Sequence, residues 1–451
     1  MLLPLIVLAA AGRSTEPPKV LTHTCPDGLT VLVVENHSVP LVTVEITAKN
    51  GSMTEPPEYN GLSHLYEHMF FKANKVLPSQ EAWLARAHEL GLQWNGSTNT
   101  ERVNYFFTTT KDHLSDTMKF MHDAIVYPLF DQKELERERV VVTGEIDRNE
   151  ASPFYHLFHD VEQRVWWKYP SRKDPLGLRA TVLKTTRAQM ETIKNRYYVP
   201  NNSALVVTGD VSADEIFAMA DKLYVDWARG ADPFVKFPLV THPPIQKTEA
   251  VVVVQPVRVI DGQLVWHGPS TVGPSVPDTY AADALGEALR LPSSRFQKAL
   301  VDSGACISVG FGWYTQMNTG PITANFEATP EKVDTCIKTL RGELAKMTSE
   351  YVTQEDLSRG AHELEVQTVQ ERERPSELAH TLTFWWTSAG LDYYLHYVDN
   401  LYKVTPADAA RYIATYITNK PFVLGVMVSP EMAKKNGLDS AHFQKLVTEA
   451  P

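Results

Sequence analysis

The chain is poor in cysteine, which limits how disulfides can contribute to its fold. Three of its 451 residues are cysteines, Cys25, Cys306 and Cys336, and no two of them have C-x-x-C spacing. The sequence therefore does not indicate a disulfide scaffold, and the odd number leaves at least one thiol unpaired. This cysteine usage leaves the cellular compartment undecided.

The chain also lacks an excess of basic charge. Its formal net charge is −11, and Lys and Arg are scattered among Asp and Glu. Binding to the phosphate backbone of a nucleic acid requires a basic surface, so we expect no nucleic-acid partner. We also find no phosphate-binding glycine-rich loop, no G-x-S-x-G elbow and no dinucleotide-binding fingerprint.

Long hydrophobic runs are missing too, and the apolar start of the chain is too short to span a bilayer. Residues 1–11 read MLLPLIVLAAA and end in an A-x-A pattern typical of a signal-peptide cleavage site, although no Lys or Arg precedes them. We interpret residues 1–18 as a signal-like segment, with a buried N-terminal segment as the alternative. We therefore expect an exported, periplasmic protein without a membrane span.

The remaining chain alternates between strand and helix patterns. Residues 31–34 and 41–46 are rich in β-branched and apolar residues, residues 92–110 resemble a hairpin, and residues 203–209 form another strand pattern. Helical periodicity begins at Gly61 and extends to about residue 73. Further helices are predicted at residues 80–90, 111–126, 131–150, 153–167 and 186–197.

The second half of the chain repeats the order of the first. The segment that begins at Thr110 and leads to Gln132 has a counterpart that begins at Thr329 and leads to Gln354. A repeat of this length predicts two related domains of about 200 residues each. We place them at residues 19–231 and 247–451, joined by a proline-rich linker at residues 232–246.

The first half contains the sequence H-L-Y-E-H at residues 64–68, and the second half has no counterpart to it. On a helix, His64 and His68 lie one turn apart on one face, so that both imidazoles can bind one zinc ion. Glu67 lies beside them and can reach a water molecule on the metal. The alternative is a solvated helix face that carries two ordinary histidines.

A catalytic zinc site needs a third protein ligand, and the 131–150 helix offers two candidates. Glu138 and Glu145 lie seven residues apart on one face, which also carries Val141 and Val142 and is therefore expected to point inward. A buried carboxylate is costly unless it is paired or binds a metal. One of the two glutamates is expected to bind the ion and the other to orient a ligand imidazole.

With its flanking segments, the motif resembles the M16 family of metallopeptidases, which includes pitrilysin, insulin-degrading enzyme and mitochondrial processing peptidase. H-x-x-E-H is the inverted zincin motif. The segments that carry the resemblance are residues 27–34, 61–72, 95–100, 136–146 and 197–202. The second half of the chain matches the family more loosely.

The resemblance implies an α+β fold of two homologous α/β sandwich domains, each with a mostly antiparallel sheet covered by helices. It implies one zinc ion per chain, bound by His64, His68 and Glu145, with Glu67 as the catalytic base. It also implies that Glu138 orients a ligand and that Asn95 lies in a strand that contacts the peptide substrate. The second domain carries no metal site.

One departure from the family concerns an Arg and a Tyr, seven residues apart, with which the second-half domain of active relatives binds substrate. The corresponding positions here are Leu300 and Ile307, whose side chains cannot donate a hydrogen bond. We expect a homologous M16 subunit to supply the pair in a heterodimer. A homodimer is the alternative assembly, although a second copy would carry the same Leu300 and Ile307.

These observations predict a zinc-dependent endopeptidase subunit that hydrolyses unfolded peptides. The alternative from another class is a non-catalytic structural or assembly subunit, since the family includes such members and they usually lose a metal ligand or the base. A third hypothesis is a zinc-stabilised module that binds peptides without cutting them. The presence of Glu67 favours the enzyme.

Overall fold

The computed structural model describes residues 16–449 and contains two β-sheets covered by helices. The first sheet has six strands and the second has five. The strands are β1 Leu21–Thr24, β2 Thr30–Glu35, β3 Leu41–Ala48, β4 Gln93–Thr98, β5 Val103–Thr110, β6 Ser203–Gly209, β7 Glu249–Val254, β8 Ile260–His267, β9 Ser308–Trp313, β10 Pro321–Ala328 and β11 Val423–Val428.

The two sheets have the same strand order apart from the additional β1. The orders are β1-β2-β6-β3-β5-β4 and β7-β11-β8-β10-β9. In each sheet one pair is parallel, β2 with β6 and β7 with β11, and the other pairs are antiparallel. The expectation of two α+β units with mostly antiparallel sheets is confirmed, whereas the boundaries at residues 231 and 247 stay a prediction.

The helices follow the predicted periodicity closely in the first half, where the 80–90, 131–150 and 153–167 patterns correspond to α2, α4 and α5. The helices are α1 Leu62–Phe70, α2 Gln80–Glu89, α3 Leu114–Val126, α4 Gln132–Glu150, α5 Pro153–Val165, α6 Arg179–Lys184, α7 Arg187–Tyr197, α8 Ala213–Leu223, α9 Pro233–Lys236, α10 Val276–Arg290, α11 Arg295–Gln297, α12 Val333–Ala345, α13 Gln354–Gln370, α14 Pro375–Ser388, α15 Leu391–Leu395, α16 Tyr397–Leu401, α17 Pro406–Tyr416, α18 Pro430–Asn436 and α19 Ser440–Thr448.

Each sheet buries one face against helices of its own half. The first core joins β2, β3, β5 and β6 to α1, α3, α7 and α8, and the second joins β8, β10 and β11 to α10, α12, α13 and α17. Burial of these apolar faces is the main favourable term in the folding free energy. Because α1 packs into the first core, its opposite face is left to carry polar side chains.

The other face of each sheet is covered by a helix from the opposite half. Helix α14, of the second half, places Leu378 and Leu382 against Val206 of the first sheet. Helix α5, of the first half, packs on the second sheet, where a Cβ at Gly425 would lie 2.3 Å from Val161 Cγ2. The two halves therefore complete each other's layers.

Cys306 and Cys336 form a disulfide, and Cys25 is a free, buried cysteine. Most of the signal-like segment, residues 1–15, lies outside the described residues. Within residues 16–449, no helix combines the length and apolar character that a bilayer crossing requires.

Candidate metal centre

Helix α1 carries the H-L-Y-E-H motif, and a buried carboxylate fixes its first turn. Glu55 Oε2 accepts a hydrogen bond of 2.8 Å from the Gly61 amide, and Oε1 accepts one of 2.6 Å from the Ser63 amide. Gly61 has a φ of +91°, a left-handed conformation that favours glycine. Burial outweighs these hydrogen bonds and raises the pKa of Glu55 to about 7.

The three predicted zinc ligands lie together. His64 Nε2 is 3.4 Å and His68 Nε2 is 3.6 Å from the same oxygen, Oε2 of Glu145 on α4. Around a tetrahedral zinc ion with metal–ligand bonds of about 2.0–2.2 Å, the nitrogen and oxygen ligand atoms lie roughly 3.3–3.6 Å from one another. The spacing and the donor set of two imidazoles and one carboxylate therefore fit zinc.

Glu138 shares a face of α4 with Glu145 and contacts the other ring nitrogen of His68. Its Oε2 lies 3.1 Å from His68 Nδ1, and its Oε1 lies 2.7 Å from Lys72 Nζ. Burial opposes ionisation of Glu138, but the hydrogen bonds to His68 and Lys72 lower its pKa overall. Burial likewise acts against protonation of His68, yet its hydrogen bond to Glu138 and the charges of Glu67 and Glu145 raise its pKa.

The expectation that Val141 and Val142 both point inward with the glutamates is wrong for Val141. Val142 is fully buried, whereas Val141 is 46% exposed and lines the cavity in front of the ligands. The reason is that α4 packs on α1 through only part of its surface, and Val141 lies where that contact ends. Glu145 is half-buried at the same border.

Glu67 lies on the α1 face next to the two histidines, close to strand β4. Thr98 Oγ1 donates a hydrogen bond of 2.7 Å to Glu67 Oε2. The side chain is nearly buried, and burial raises its pKa. Gly96 allows this approach, because a Cβ there would lie 3.0 Å from Glu67 Cγ and 3.2 Å from Oε1.

Strand β4 forms one edge of the first sheet and borders the site. Among residues 16–449 it pairs only with β5, and no described strand pairs with its other side. Asn95 and the partly exposed Trp94 lie on this strand and line a cavity of about 380 Å³. The same cavity is lined by the three candidate ligands and by Glu67, Phe71 and Gln80. The cavity thus joins the candidate zinc ligands to an unpaired strand edge.

The positions of the expected Arg and Tyr hold side chains without hydrogen-bonding groups. Leu300 is fully buried in the second core, and Ile307 is 44% exposed just before β9. Leu300 follows α11, and Ile307 directly precedes β9. Neither lines the cavity that contains His64 and His68.

Sequence reasoning missed three residues that shape the site: Glu55, Lys72 and Thr98. Each contacts a site element from a position that helical periodicity does not relate to the motif. Lys72 lies just beyond the end of α1, and Thr98 lies in the hairpin. A signal was available for Lys72 and Thr98, because both belong to segments that resemble the family, but not for Glu55.

Two family models match the chain in succession. The model described as "Insulinase (Peptidase family M16)" covers residues 30–174, and that described as "Peptidase M16 inactive domain" covers residues 184–364. The chain belongs to peptidase family M16. The first match contains the candidate zinc ligands, and the second contains Leu300 and Ile307.

Curated relatives of this M16 chain include zinc proteases. It is 29% identical over 192 residues to the uncharacterized zinc protease YmxG of Bacillus subtilis, which covers 42% of this chain and 46% of that protein. It is 25% identical over 325 residues to the zinc protease PqqE of Helicobacter pylori, covering 69% and 71%. The chain spans about half or less of several other relatives, with only 22% of human insulin-degrading enzyme.

Solved structures share the fold of this M16 chain. A protease from Helicobacter pylori matches with a TM-score of 0.81 at 21% identity, covering 91% of this chain and all of that one. The first half of the periplasmic protease PqqL from Escherichia coli matches with a TM-score of 0.78 at 19% identity, covering 96% and 97%. The match to whole PqqL covers 50% of that protein, so it is about twice as long.

Proposed function

We propose that this M16 chain is the catalytic subunit of a zinc-dependent endopeptidase that hydrolyses unfolded peptides. The observation that carries the proposal is the convergence of His64 Nε2 and His68 Nε2 on Glu145 Oε2, with Glu67 beside them in an open cavity. His64, His68 and Glu145 bind one catalytic zinc ion, and Glu138 orients His68. The names of the zinc proteases related to it support the same reading.

When bound, zinc polarises a scissile carbonyl and lowers the pKa of a water ligand. Glu67 accepts the proton of the attacking water and later donates it to the nitrogen of the leaving amine. The hydrogen bond from Thr98 fixes the Glu67 carboxylate through Oε2 and leaves Oε1 for this proton. Burial favours the protonated carboxyl group, which suits a side chain that must hold the proton between the two steps.

The open edge of β4 is the proposed binding site for the peptide. An extended peptide adds to such an edge as a further strand, with main-chain hydrogen bonds that do not depend on its side chains. Asn95 on β4 would contact that peptide beside the zinc ligands. Because a folded protein rarely offers a free extended segment, this mode selects unfolded peptides.

A partner subunit is proposed to complete the substrate site. Leu300 and Ile307 offer no hydrogen bonds where active relatives use Arg and Tyr, so the chain by itself lacks that contact with the peptide. The double length of PqqL relative to this chain supports a pair of such units. A homologous M16 subunit is the expected partner for this role, because a second copy of this chain would carry the same Leu300 and Ile307. A homodimer is the alternative assembly.

An exported, periplasmic location is part of the proposal. The Cys306–Cys336 disulfide supports it, because disulfides persist in oxidising compartments and are rare in the cytosol. The signal-like residues 1–18 point the same way. PqqL, which shares the fold, is described as periplasmic.

The test combines zinc quantification with cleavage of a quenched library of unfolded peptides. We expect wild type, purified with any co-purifying partner, to bind zinc and cut. Glu67→Gln should keep the zinc bound by the histidines and lose at least about 10²-fold in kcat. Glu136→Gln, an exposed Glu-to-Gln change on α4, is the matched control and should match wild type in both.

The remaining outcomes separate the competing functions. Zinc bound without cleavage, with or without a partner, would favour the peptide-binding module. A folded chain without zinc at His64 and His68 would favour the structural subunit. If the isolated chain reached a kcat/KM of about 10⁴ M⁻¹s⁻¹ or more, the partner hypothesis would be wrong although the peptidase assignment would stand.

A further inference from the structure

A second group of side chains with metal-binding atoms lies near β1, the edge strand of the first sheet opposite to β4. His23 belongs to β1, Cys25 follows that strand directly, and Asp221 belongs to α8. A ring nitrogen of His23, Sγ of Cys25 and a carboxylate oxygen of Asp221 all lie within 4.8 Å of one another. His23 Nε2 and Asp221 Oδ1 are 2.9 Å apart, although 198 positions separate the residues.

The spacing of these three atoms suits a zinc-like ion. Around a tetrahedral ion with metal–ligand bonds of about 2.0–2.3 Å, the nitrogen, sulfur and oxygen ligand atoms lie roughly 3.3–3.8 Å from one another. The His23 Nε2 to Asp221 Oδ1 separation of 2.9 Å is shorter than this range, and every other pair lies within 4.8 Å. Side-chain shifts of about 1 Å or less therefore suffice to bring all three atoms into place. A donor set of one imidazole, one thiolate and one carboxylate favours zinc over magnesium or calcium, which prefer oxygen alone.

Access and charge also suit a cation. Cys25 is 3% exposed, whereas the side chains of His23 and Asp221 are 32% and 40% exposed, so an ion can enter from solvent with the sulfur at the inner end. Asp27 adds negative charge close to the thiol. Its Oδ2 atom is buried and has no hydrogen-bond partner within residues 16–449. The ring of Phe217 packs against the imidazole of His23, with 5.1 Å between the ring centroids, and limits the orientation of that imidazole.

A reactive cysteine is the alternative explanation, and the surroundings of the sulfur argue against it. Burial, together with the hydrogen bond and the charge of Asp221, raises the pKa of the Cys25 thiol to about 12. The group is therefore a neutral thiol near pH 7 rather than a nucleophilic thiolate. The same negative surroundings that oppose a thiolate attract a divalent cation, which compensates the charge of the thiolate and of Asp221.

We propose that His23, Cys25 and Asp221 form a second metal site that takes a borderline divalent cation of the zinc class and ties the edge strand β1 to α8. On binding, the thiol proton of Cys25 leaves to solvent and a sulfur–metal bond forms. His23 Nε2 offers its lone pair while the ring proton resides on Nδ1. Asp221 supplies one oxygen, and water completes the fourth position.

Cobalt(II) tests this site separately from the catalytic one. A thiolate bound to Co(II) gives an intense sulfur-to-metal charge-transfer band in the near ultraviolet, which nitrogen and oxygen ligands do not give. The His64–His68–Glu145 site has no sulfur, and Cys306 and Cys336 are joined in a disulfide. Any such band in the unreduced full-length chain therefore reports Cys25.

We expect wild type titrated with Co(II) to develop the band and excess Zn(II) to abolish it. The His64→Ala/His68→Ala variant should show the band at full intensity, so loss of the catalytic site does not remove the signal. Cys25→Ser should show none, and Asp221→Asn and His23→Ala should weaken it at least about tenfold in apparent affinity. Asp214→Asn, an exposed change on α8, is the matched control and should match wild type.

Two outcomes overturn the proposal. Wild type without a charge-transfer band at excess Co(II), while far-ultraviolet circular dichroism shows it folded, excludes a thiolate-bound metal. A band of undiminished affinity in both Asp221→Asn and His23→Ala shows that the cysteine binds metal without these ligands. Neither outcome depends on peptidase activity, so the proposed function stands or falls independently.

Discussion

Glu138 Oε2 lies 3.1 Å from His68 Nδ1, the ring nitrogen that faces away from Glu145. The other oxygen of Glu138 contacts Lys72 Nζ at 2.7 Å. This arrangement fixes the His68 ring with its Nε2 lone pair toward Glu145. The ion pair with Lys72 keeps Glu138 ionised, so that it accepts the Nδ1 proton rather than offering one of its own.

Glu138→Gln should therefore weaken zinc binding by about 10- to 100-fold, because an outer carboxylate of this kind orients the ligand imidazole and raises its basicity. Competition with a chromogenic chelator measures the zinc dissociation constant. Glu136→Gln on the exposed side of the same helix is the control. Equal zinc affinities in the two variants would show that Glu138 does not support the site.

Gly96→Ala should reduce kcat/KM by about tenfold or more while zinc stays bound. The added Cβ lies 3.0 Å from Glu67 Cγ and 3.1 Å from the Asn104 carbonyl oxygen, so it displaces the proposed base by a few tenths of an ångström. Small displacements of a reacting group are costly in rate. Peptide-cleavage kinetics and zinc content on the same preparation measure both parts.

The matched control is Gly312→Ala on β9, the corresponding edge strand of the second sheet. A Cβ at Gly312 meets no atom within 4 Å. This variant should cleave at the wild-type rate. If both variants lost activity equally, a general effect of alanine in an edge strand would explain the loss, and the contact with Glu67 would not.

The stability of the chain should depend on pH through Glu55. Burial raises its pKa from 4.5 to about 7, so between these values the folded state holds a proton that the unfolded state has released. The unfolding free energy should consequently fall as pH rises through this window and level off above it. At 1.36 kcal/mol per pKa unit, the change amounts to about 3 kcal/mol.

Urea unfolding at several pH values measures this contribution. Glu55→Gln should lack the decline, so the unfolding free energy of wild type minus that of the variant should increase by about 3 kcal/mol from pH 7 to pH 4.5. Glu58→Gln, an exposed neighbour, should keep the wild-type profile. Parallel profiles for Glu55→Gln and wild type would contradict the raised pKa.

Removal of the disulfide should destabilise the second half. Cys306 and Cys336 are 30 residues apart. Closing a loop of that length lowers the conformational entropy of the unfolded chain and thereby raises the unfolding free energy by about 3–4 kcal/mol. Cys306→Ala/Cys336→Ala should therefore unfold at lower urea concentration than wild type. Reductant should lower the wild-type midpoint and leave the double variant unchanged. Thiol titration of unreduced, unfolded wild type should find one free thiol, and three would contradict the pairing.

Local sequence was enough to predict most elements of the first half. The apolar periodicity of α4 and α5 and the alternation in β3 and β5 reflect which face of each segment is buried, and that pattern is visible without a structure. The exchange of α5 and α14 between the halves was not predictable. Periodicity shows that a helix has an apolar face, but it does not identify the sheet on which that face packs.

The candidate site divides in the same way. His64, Glu67 and His68 share one helix, so helix geometry alone brings them together. Glu138 and Glu145 share a face of α4, and their spacing could not decide which of them approaches the imidazoles. The crossing of α4 over α1 decides it, because it places Glu145 at both Nε2 atoms and Glu138 at His68 Nδ1.

The sequence by itself determined the family resemblance, the grouping of His64, Glu67 and His68 on one helix and the apolar residues at positions 300 and 307, since each depends on residues that are near one another in the chain. Only the tertiary structure decided the contacts between distant segments. The grouping of His23 and Cys25 with Asp221 is the clearest case, because 196 positions separate Cys25 from Asp221. Packing of α8 beside β1 and β2 brings them together, and no local pattern encodes that packing.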